Sequence, residues 1–160
     1  GRMSRVFANQ NKDRAYIYGF SAGFLVPLDD HFTWSMGINY TYGRIKTDST
    51  DYPLDHIPPL NAHTSFNYQY KKINAAFFIN YSSWKRIQDY NLNGEDNEQY
   101  ATPDGTPAWL TVNLRMAYQI HKYVNIGTGI DNIFDTQYRT FSSGINSPGR
   151  NFLIAIRGKF

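Results

Sequence analysis

Few side chains in this sequence are grouped as catalysis or metal binding would need. The four histidines are His31, His56, His63 and His121, and their spacing gathers no two of them. Cysteine is absent, which excludes a disulfide scaffold and any Cys-based zinc or redox centre. No metal site and no cofactor is expected. His63 and Ser65 share one face of an extended segment, a spacing that invites a hydrolase reading. Nucleophilic catalysis would also need a third group to orient the base, and none is in register. No catalytic residue is expected, and the chain reads as a non-enzyme.

The irregular stretches hold more polar chemistry. Residues 85–107 carry Asp89, Glu95, Asp96, Glu98 and Asp104, and residues 44–57 carry Asp48, Asp51 and Asp55. Oxygen ligands on flexible loops suit Ca²⁺. No EF-hand-like spacing appears, and solvated loop charge is the ordinary reading. Tyr90, Tyr100, Trp109, Tyr138 and Phe141 are candidate contacts for a planar or sugar-like small molecule of unknown identity; ordinary loop packing is the competing reading.

The elements that hold these loops are written in the composition and its periodicity. Aromatic residues make up 17% of the 160 positions, with 13 Tyr, 11 Phe and 3 Trp. Such usage suits the pleated surface of a strand. No apolar run approaches the ~18 residues of a transmembrane helix. The formal net charge is +3, and Lys71-Lys72 and Lys85-Arg86 are the densest basic pairs, so no nucleic-acid partner is expected. A mean hydropathy of -0.54 does not exclude a membrane β-barrel, whose strands are only half apolar.

Strand-period alternation runs almost the whole length. In residues 32–43 the even positions are Phe32, Trp34, Met36, Ile38, Tyr40 and Tyr42, and the odd ones are Thr33, Ser35, Gly37, Asn39, Thr41 and Gly43. Because side chains alternate faces along a strand, one face is apolar and the other small and polar. The pattern recurs over 15–26, 60–70, 73–83, 108–120, 124–134 and 151–160, with Phe78 as the main exception. Seven antiparallel strands are predicted. Short turns at 27–31, 71–72 and 121–123 alternate with long connections at 44–57, 85–107 and 135–149, which collect Pro53, Pro103, Pro107 and Pro148, with Pro58 and Pro59 just after the first.

Alternation alone does not say which face is wet. Strand length does: soluble strands average about 5–6 residues, whereas eleven residues at about 3.3 Å each, tilted near 45°, cover roughly 25 Å of membrane normal. The apolar face carries aromatics near the strand ends and aliphatics between, the order of two interfacial girdles. The opposite face is Gly, Ser, Thr, Asn and Gln, which suit a crowded wet lumen. An all-β transmembrane barrel with outer-membrane lipid on the apolar face is predicted.

Short turns are periplasmic and long loops extracellular in such barrels. Residues 1–13 are then expected as an extracellular loop remnant. No signal peptide is legible at the beginning of the chain. Seven is odd where single-chain barrels are even, so further strands are expected upstream. If the 121–123 hairpin pairs residues that sum to about 244, Asn113 sits opposite Asp131 with Arg115 diagonal to it. An Arg115–Asp131 contact inside the barrel is predicted.

The residues then become familiar. Asp131-Asn132-Ile133-Phe134-Asp135, Tyr138-Arg139 and Ser147-Pro148-Gly149-Arg150-Asn151-Phe152, followed by a strand closing on Phe160, resemble the C-terminus of TonB-dependent outer-membrane receptors. Ile57-Pro58-Pro59 leading into a strand is also similar to that family. The resemblance implies that residues 1–160 are the C-terminal part of one barrel domain of about 22 strands, with the plug domain absent here. It implies import of a scarce bulky nutrient of the siderophore-iron, haem or cobalamin class, driven by the TonB complex through the missing N-terminal region. Phe152, Ile154, Ile156 and Phe160 resemble the signal read by the barrel-assembly machinery, although Gly158 stands where a larger apolar side chain is more usual. The alternative is a small structural or adhesive outer-membrane barrel.

Overall fold

The computed structural model describes residues 14–91 and 95–159. The expected extracellular remnant at 1–13 and Phe160 lie outside the described residues. Seven long strands form one antiparallel sheet in chain order: β1 (Arg14–Pro27), β2 (Phe32–Lys46), β4 (Asn61–Tyr70), β5 (Ile73–Ser82), β8 (Trp109–His121), β9 (Val124–Asp131) and β10 (Asn151–Gly158). A short β3 (Asp51–Pro53) folds back on the end of β2, and β6 (Lys85–Arg86) pairs with β7 (Gly105–Thr106) as a separate ribbon. Each long strand pairs with its chain neighbour, and the sheet is open at β1 and β10 among the described residues.

The strands run from 8 to 15 residues, so the spread is wider than periodicity suggests. The predicted 124–134 strand ends early, at Asp131. Asn132 takes a φ of 52°, which breaks the extended chain, and its own side chain holds the turn that follows. The β1–β2 turn is closed by Asp29, whose Oδ1 accepts the backbone N–H groups of His31 at 2.7 Å and Phe32 at 2.8 Å. Those two bonds hold its carboxyl below the usual value.

Registry joins the apolar positions into one row across the whole sheet. Val26 faces Trp34, then Phe66, Phe77, Leu114, Ile130 and Phe152 follow, each the direct partner of the last. Rings gather near both ends of the β1–β2–β4 face. Tyr18 packs on Tyr42 at 5.0 Å and Phe20 on Tyr40 at 5.9 Å at one end. Phe24 meets Trp34 at 4.6 Å and Phe32 meets Tyr68 at 4.7 Å at the other. Ala22, Ile38 and Ala62 separate the two groups.

Burial is inverted relative to a soluble domain. Ile154 is 82% exposed, Ile156 74% and Phe152 70%, while Ser65, Ser82, Thr111, Asn113 and Asn132 are buried. Tyr90 and Val112 are the buried hydrophobic residues among those described. An apolar surface of this extent needs an apolar solvent or partner, and a bilayer supplies one to strands whose backbone groups bond to one another.

Candidate functional site

The polar face carries a ladder of side-chain hydrogen bonds between strands. Ser35 and Ser65 share one at 2.7 Å, and Asn67 Nδ2 donates to Ser65 Oγ at 3.0 Å. His63 Nδ1 and Asn80 Oδ1 lie 2.7 Å apart. Both members of the His63–Ser65 pair are therefore engaged by separate neighbours, and no nucleophile–base contact forms. Asn113 Nδ2 donates to the Phe78 carbonyl at 3.2 Å, and its Oδ1 accepts the Asn132 backbone N–H at 2.9 Å.

The β8–β9 pairs sum to 244 from Leu114–Ile130 to Gln119–Asn125, with a bulge next to His121. That register sets Arg115 diagonal to Asp131. The guanidinium donates through Nη2 to Oδ2 at 2.8 Å and through Nε to Oδ1 at 3.3 Å, a two-pronged pair on the polar face. The fork geometry fixes orientation as well as distance.

Asp131 also opens the turn that leads off the sheet. Asn132 Oδ1 accepts the Thr136 N–H, and its Nδ2 donates to the Thr136 carbonyl, both at 2.9 Å. Asp135, also at positive φ, accepts the Arg150 N–H at 2.7 Å, and Arg150 Nε donates to the Ile133 carbonyl at 2.9 Å. The Asp131–Asp135 motif and the Pro148–Asn151 motif thus clasp the two ends of one long connection.

Above the sheet, the three long connections pack into a cap. Tyr90 is buried, exchanges a 2.7 Å hydrogen bond with Thr106 Oγ1, and packs 5.9 Å from the Phe141 ring. Burial pushes its phenol pKa up. Lys85, also buried, donates to the Ile57 carbonyl at 2.6 Å and lies 5.0 Å from the Phe141 centroid. Burial pushes that amine below its usual value. Asn91 Nδ2 donates to the Pro53 carbonyl at 2.9 Å, Asn97 Nδ2 to the Ser142 carbonyl at 2.8 Å, and Arg44 pairs with Asp89 at 3.2 Å. Gly105, with a φ of 104°, closes the β6–β7 ribbon that projects Lys85 inward.

The five aromatic positions singled out in sequence fall into two separate groups. Tyr100, Trp109 and Tyr138 line a cleft of about 240 Å³, with Arg139 and Asn146 beside them. Tyr90 and Phe141 belong to the interior of the cap. In the cleft the Trp109 and Tyr138 rings lie 4.4 Å apart, and the Trp109 indole N–H is buried without a partner. Arg139 is held by its bonds to Asn146 Oδ1, at 3.0 and 2.9 Å, and to the Tyr100 carbonyl. Flat rings and a fixed guanidinium suit an aromatic, oxygen-rich ligand. Arg139 was visible in sequence only as the neighbour of Tyr138. Asn146, seven residues on, carries no periodic or motif signal that would have found it.

A model of the family described as TonB dependent receptor-like, beta-barrel, matches residues 2–133. Two curated relatives from Pseudomonas aeruginosa share that similarity. The ferric enterobactin receptor is 21% identical over 97% of this chain and 22% of its own length. The ferric enterobactin receptor PirA is 20% identical over 100% of this chain and 22% of its own. Among solved structures, the copper transporter OprC superposes with a TM-score of 0.75 at 23% identity, over 91% of this chain and 24% of that one. The ferripyoverdine receptor of the outer membrane of Pseudomonas aeruginosa, bound to ferripyoverdine, gives 0.65 at 18% identity, over 91% and 20%. These likenesses carry the fold, and the chain spans about a fifth of the length of the relatives it matches.

Proposed function

We propose that this chain, which belongs to the TonB-dependent receptor-like β-barrel family, forms the C-terminal strands and outer loops of a receptor that imports an iron–siderophore. The family consists of outer-membrane transport receptors rather than enzymes. Supporting the substrate class is the cleft among Tyr100, Trp109, Tyr138 and Arg139, whose rings and guanidinium match an aromatic chelator rich in oxygen acceptors. The relatives point the same way, since two of them are receptors for ferric enterobactin and ferripyoverdine.

In this reading the short turns at 28–31, 71–72 and 122–123 face the periplasm and the cap faces outward. Lipid covers the row from Val26 to Phe152. The TonB complex acts through a region upstream of these strands, together with the plug. The apolar face of β10 at Phe152, Ile154 and Ile156 is offered to the barrel-assembly machinery.

Uptake of labelled ferric siderophores, haem and cobalamin by cells carrying the full-length receptor tests the substrate class. The expected result is siderophore uptake that falls in Trp109→Ala and Arg139→Ala and is largely kept in Trp109→Phe, which retains a ring. Uptake of haem or cobalamin instead, unaffected by these changes, contradicts it.

A further inference from the structure

Two carboxylate oxygens beneath the cap have no partner. Asp96 is 1% exposed; its Oδ1 accepts the His56 backbone N–H at 2.9 Å, and its Oδ2 is buried and bonds to nothing. Asp55, the residue before His56, likewise has a buried Oδ1 without a hydrogen bond. These two side chains come from different long connections, residues 47–60 and 83–108, and the charge of Asp96 is felt at Asp55.

None of the surrounding cations among the described residues bonds to the two unpartnered oxygens. The His56 ring lies 3.2 Å from Glu95 Oε2 and 3.3 Å from Asp96 Oδ1, so it serves the oxygen that is already satisfied. Arg44 pairs with Asp89. Lys85 donates to the Ile57 carbonyl and makes no ion pair among the described residues. The charges of Asp96, Glu95 and Glu98 all bear on Asp55, and Lys85 feels Asp96, Asp89 and Asp55 without pairing with them, so negative charge is left in excess.

We propose that Asp55 and Asp96 bind a divalent cation, Ca²⁺ by their chemistry, which ties the two connections together at the base of the cap. Hard carboxylate oxygens on irregular backbone are what Ca²⁺ takes, completed by backbone carbonyls and water at about 2.3–2.6 Å. Mg²⁺ demands a stricter octahedron, and soft metals prefer thiolate and imidazole. Among the described residues no three His, Cys, Asp or Glu side chains are grouped as a metal site. The remaining ligands are therefore backbone carbonyls and water. Exposure of the site to external Ca²⁺ rests on the outward orientation of the cap, and the site itself does not depend on which nutrient is carried.

The test uses the full-length receptor in detergent, stripped with a chelator and free of any siderophore. Ca²⁺ binding is measured by calorimetry, and cleavage of the 83–108 connection by limited proteolysis. The parent and an Asp48→Asn control are expected to bind the same number of Ca²⁺ ions and to be protected by them. Asp55→Asn and Asp96→Asn are each expected to bind about one fewer and to lose the protection. Asp55 is half-buried, so its amide variant carries the test if Asp96→Asn does not fold. Unchanged stoichiometry in Asp55→Asn overturns the proposal. So does a parent whose cleavage is the same with and without Ca²⁺, the result expected if a retained proton occupies the pair.

Discussion

The apolar face of the sheet and the loop cap above it are held in opposite ways. On the apolar face, Trp34, Phe66, Phe77, Leu114 and Ile130 are direct partners across strands and are covered by nothing among the described residues. In the cap, Tyr90, Lys85, Asn91 and Asp96 are buried, and the last three each bond to the backbone of a distant stretch. The face takes its stability from the solvent it meets, and the cap from specific partners. A charge therefore costs most on the face, a lost hydrogen bond costs most in the cap, and a change of pH acts on the cap alone.

The largest effect is expected from Leu114→Arg, in the middle of the apolar row. If lipid covers that row, the substitution costs about 2–4 kcal/mol, read from refolding of the full-length receptor into vesicles. A change within about 0.5 kcal/mol, as on a solvated surface, would erase the contrast between the two regions. In the cap, Asn132→Ala removes two hydrogen bonds to Thr136 and leaves a non-glycine residue at positive φ. A loss of about 1–3 kcal/mol is expected in urea unfolding.

The pH response is subtler. Burial, then the charges of Asp96 and Glu95, raise the Asp55 carboxyl above its usual value. Its ionised form therefore weakens the cap at neutral pH. That penalty is relieved as pH falls through the raised value, and the gain levels off below the ordinary value of about 3.9. In chelator, resistance of the cap to proteolysis should rise on mild acidification, and Asp55→Asn should abolish the rise. Added Ca²⁺ should protect the cap at neutral pH and flatten the same response. The smallest effect belongs to Arg115→Met. Arg115 is more than half exposed, and a pair so placed contributes at most about 1 kcal/mol.

The two regions also differ in how far the sequence reveals them. Alternation of Phe32, Trp34, Met36 and Ile38 with Thr33, Ser35, Gly37 and Asn39 is a local signal, and it delivers the strand, its faces and its place in the meander. The 244 register followed from a short hairpin, and Arg115 and Asp131 then meet by geometry. The cap has no such periodicity. Tyr90 and Phe141 are fifty-one positions apart and Asp55 and Asp96 forty-one, and nothing local marks them as neighbours. Their positions follow from single bonds such as Asn91 to Pro53 and Asn97 to Ser142, visible only once the strands have brought the connections together. Asn132 is an intermediate case: the motif was noticed, but its turn-closing role needed the φ of 52° and the Thr136 contacts.

The central claim is that the row from Val26 to Phe152 lies against lipid. The chain has no cysteine, so single cysteines along β8 can carry a spin label in the full-length receptor once any cysteines elsewhere in it are replaced. Relaxation by oxygen, which concentrates in lipid, is compared with relaxation by a water-soluble nickel chelate. The account predicts a two-residue period, with oxygen access highest at Leu114 and Met116, and nickel access dominating at Asn113, Arg115 and Ala117. Equal nickel access at Leu114 and Arg115, or the reverse alternation, would contradict it.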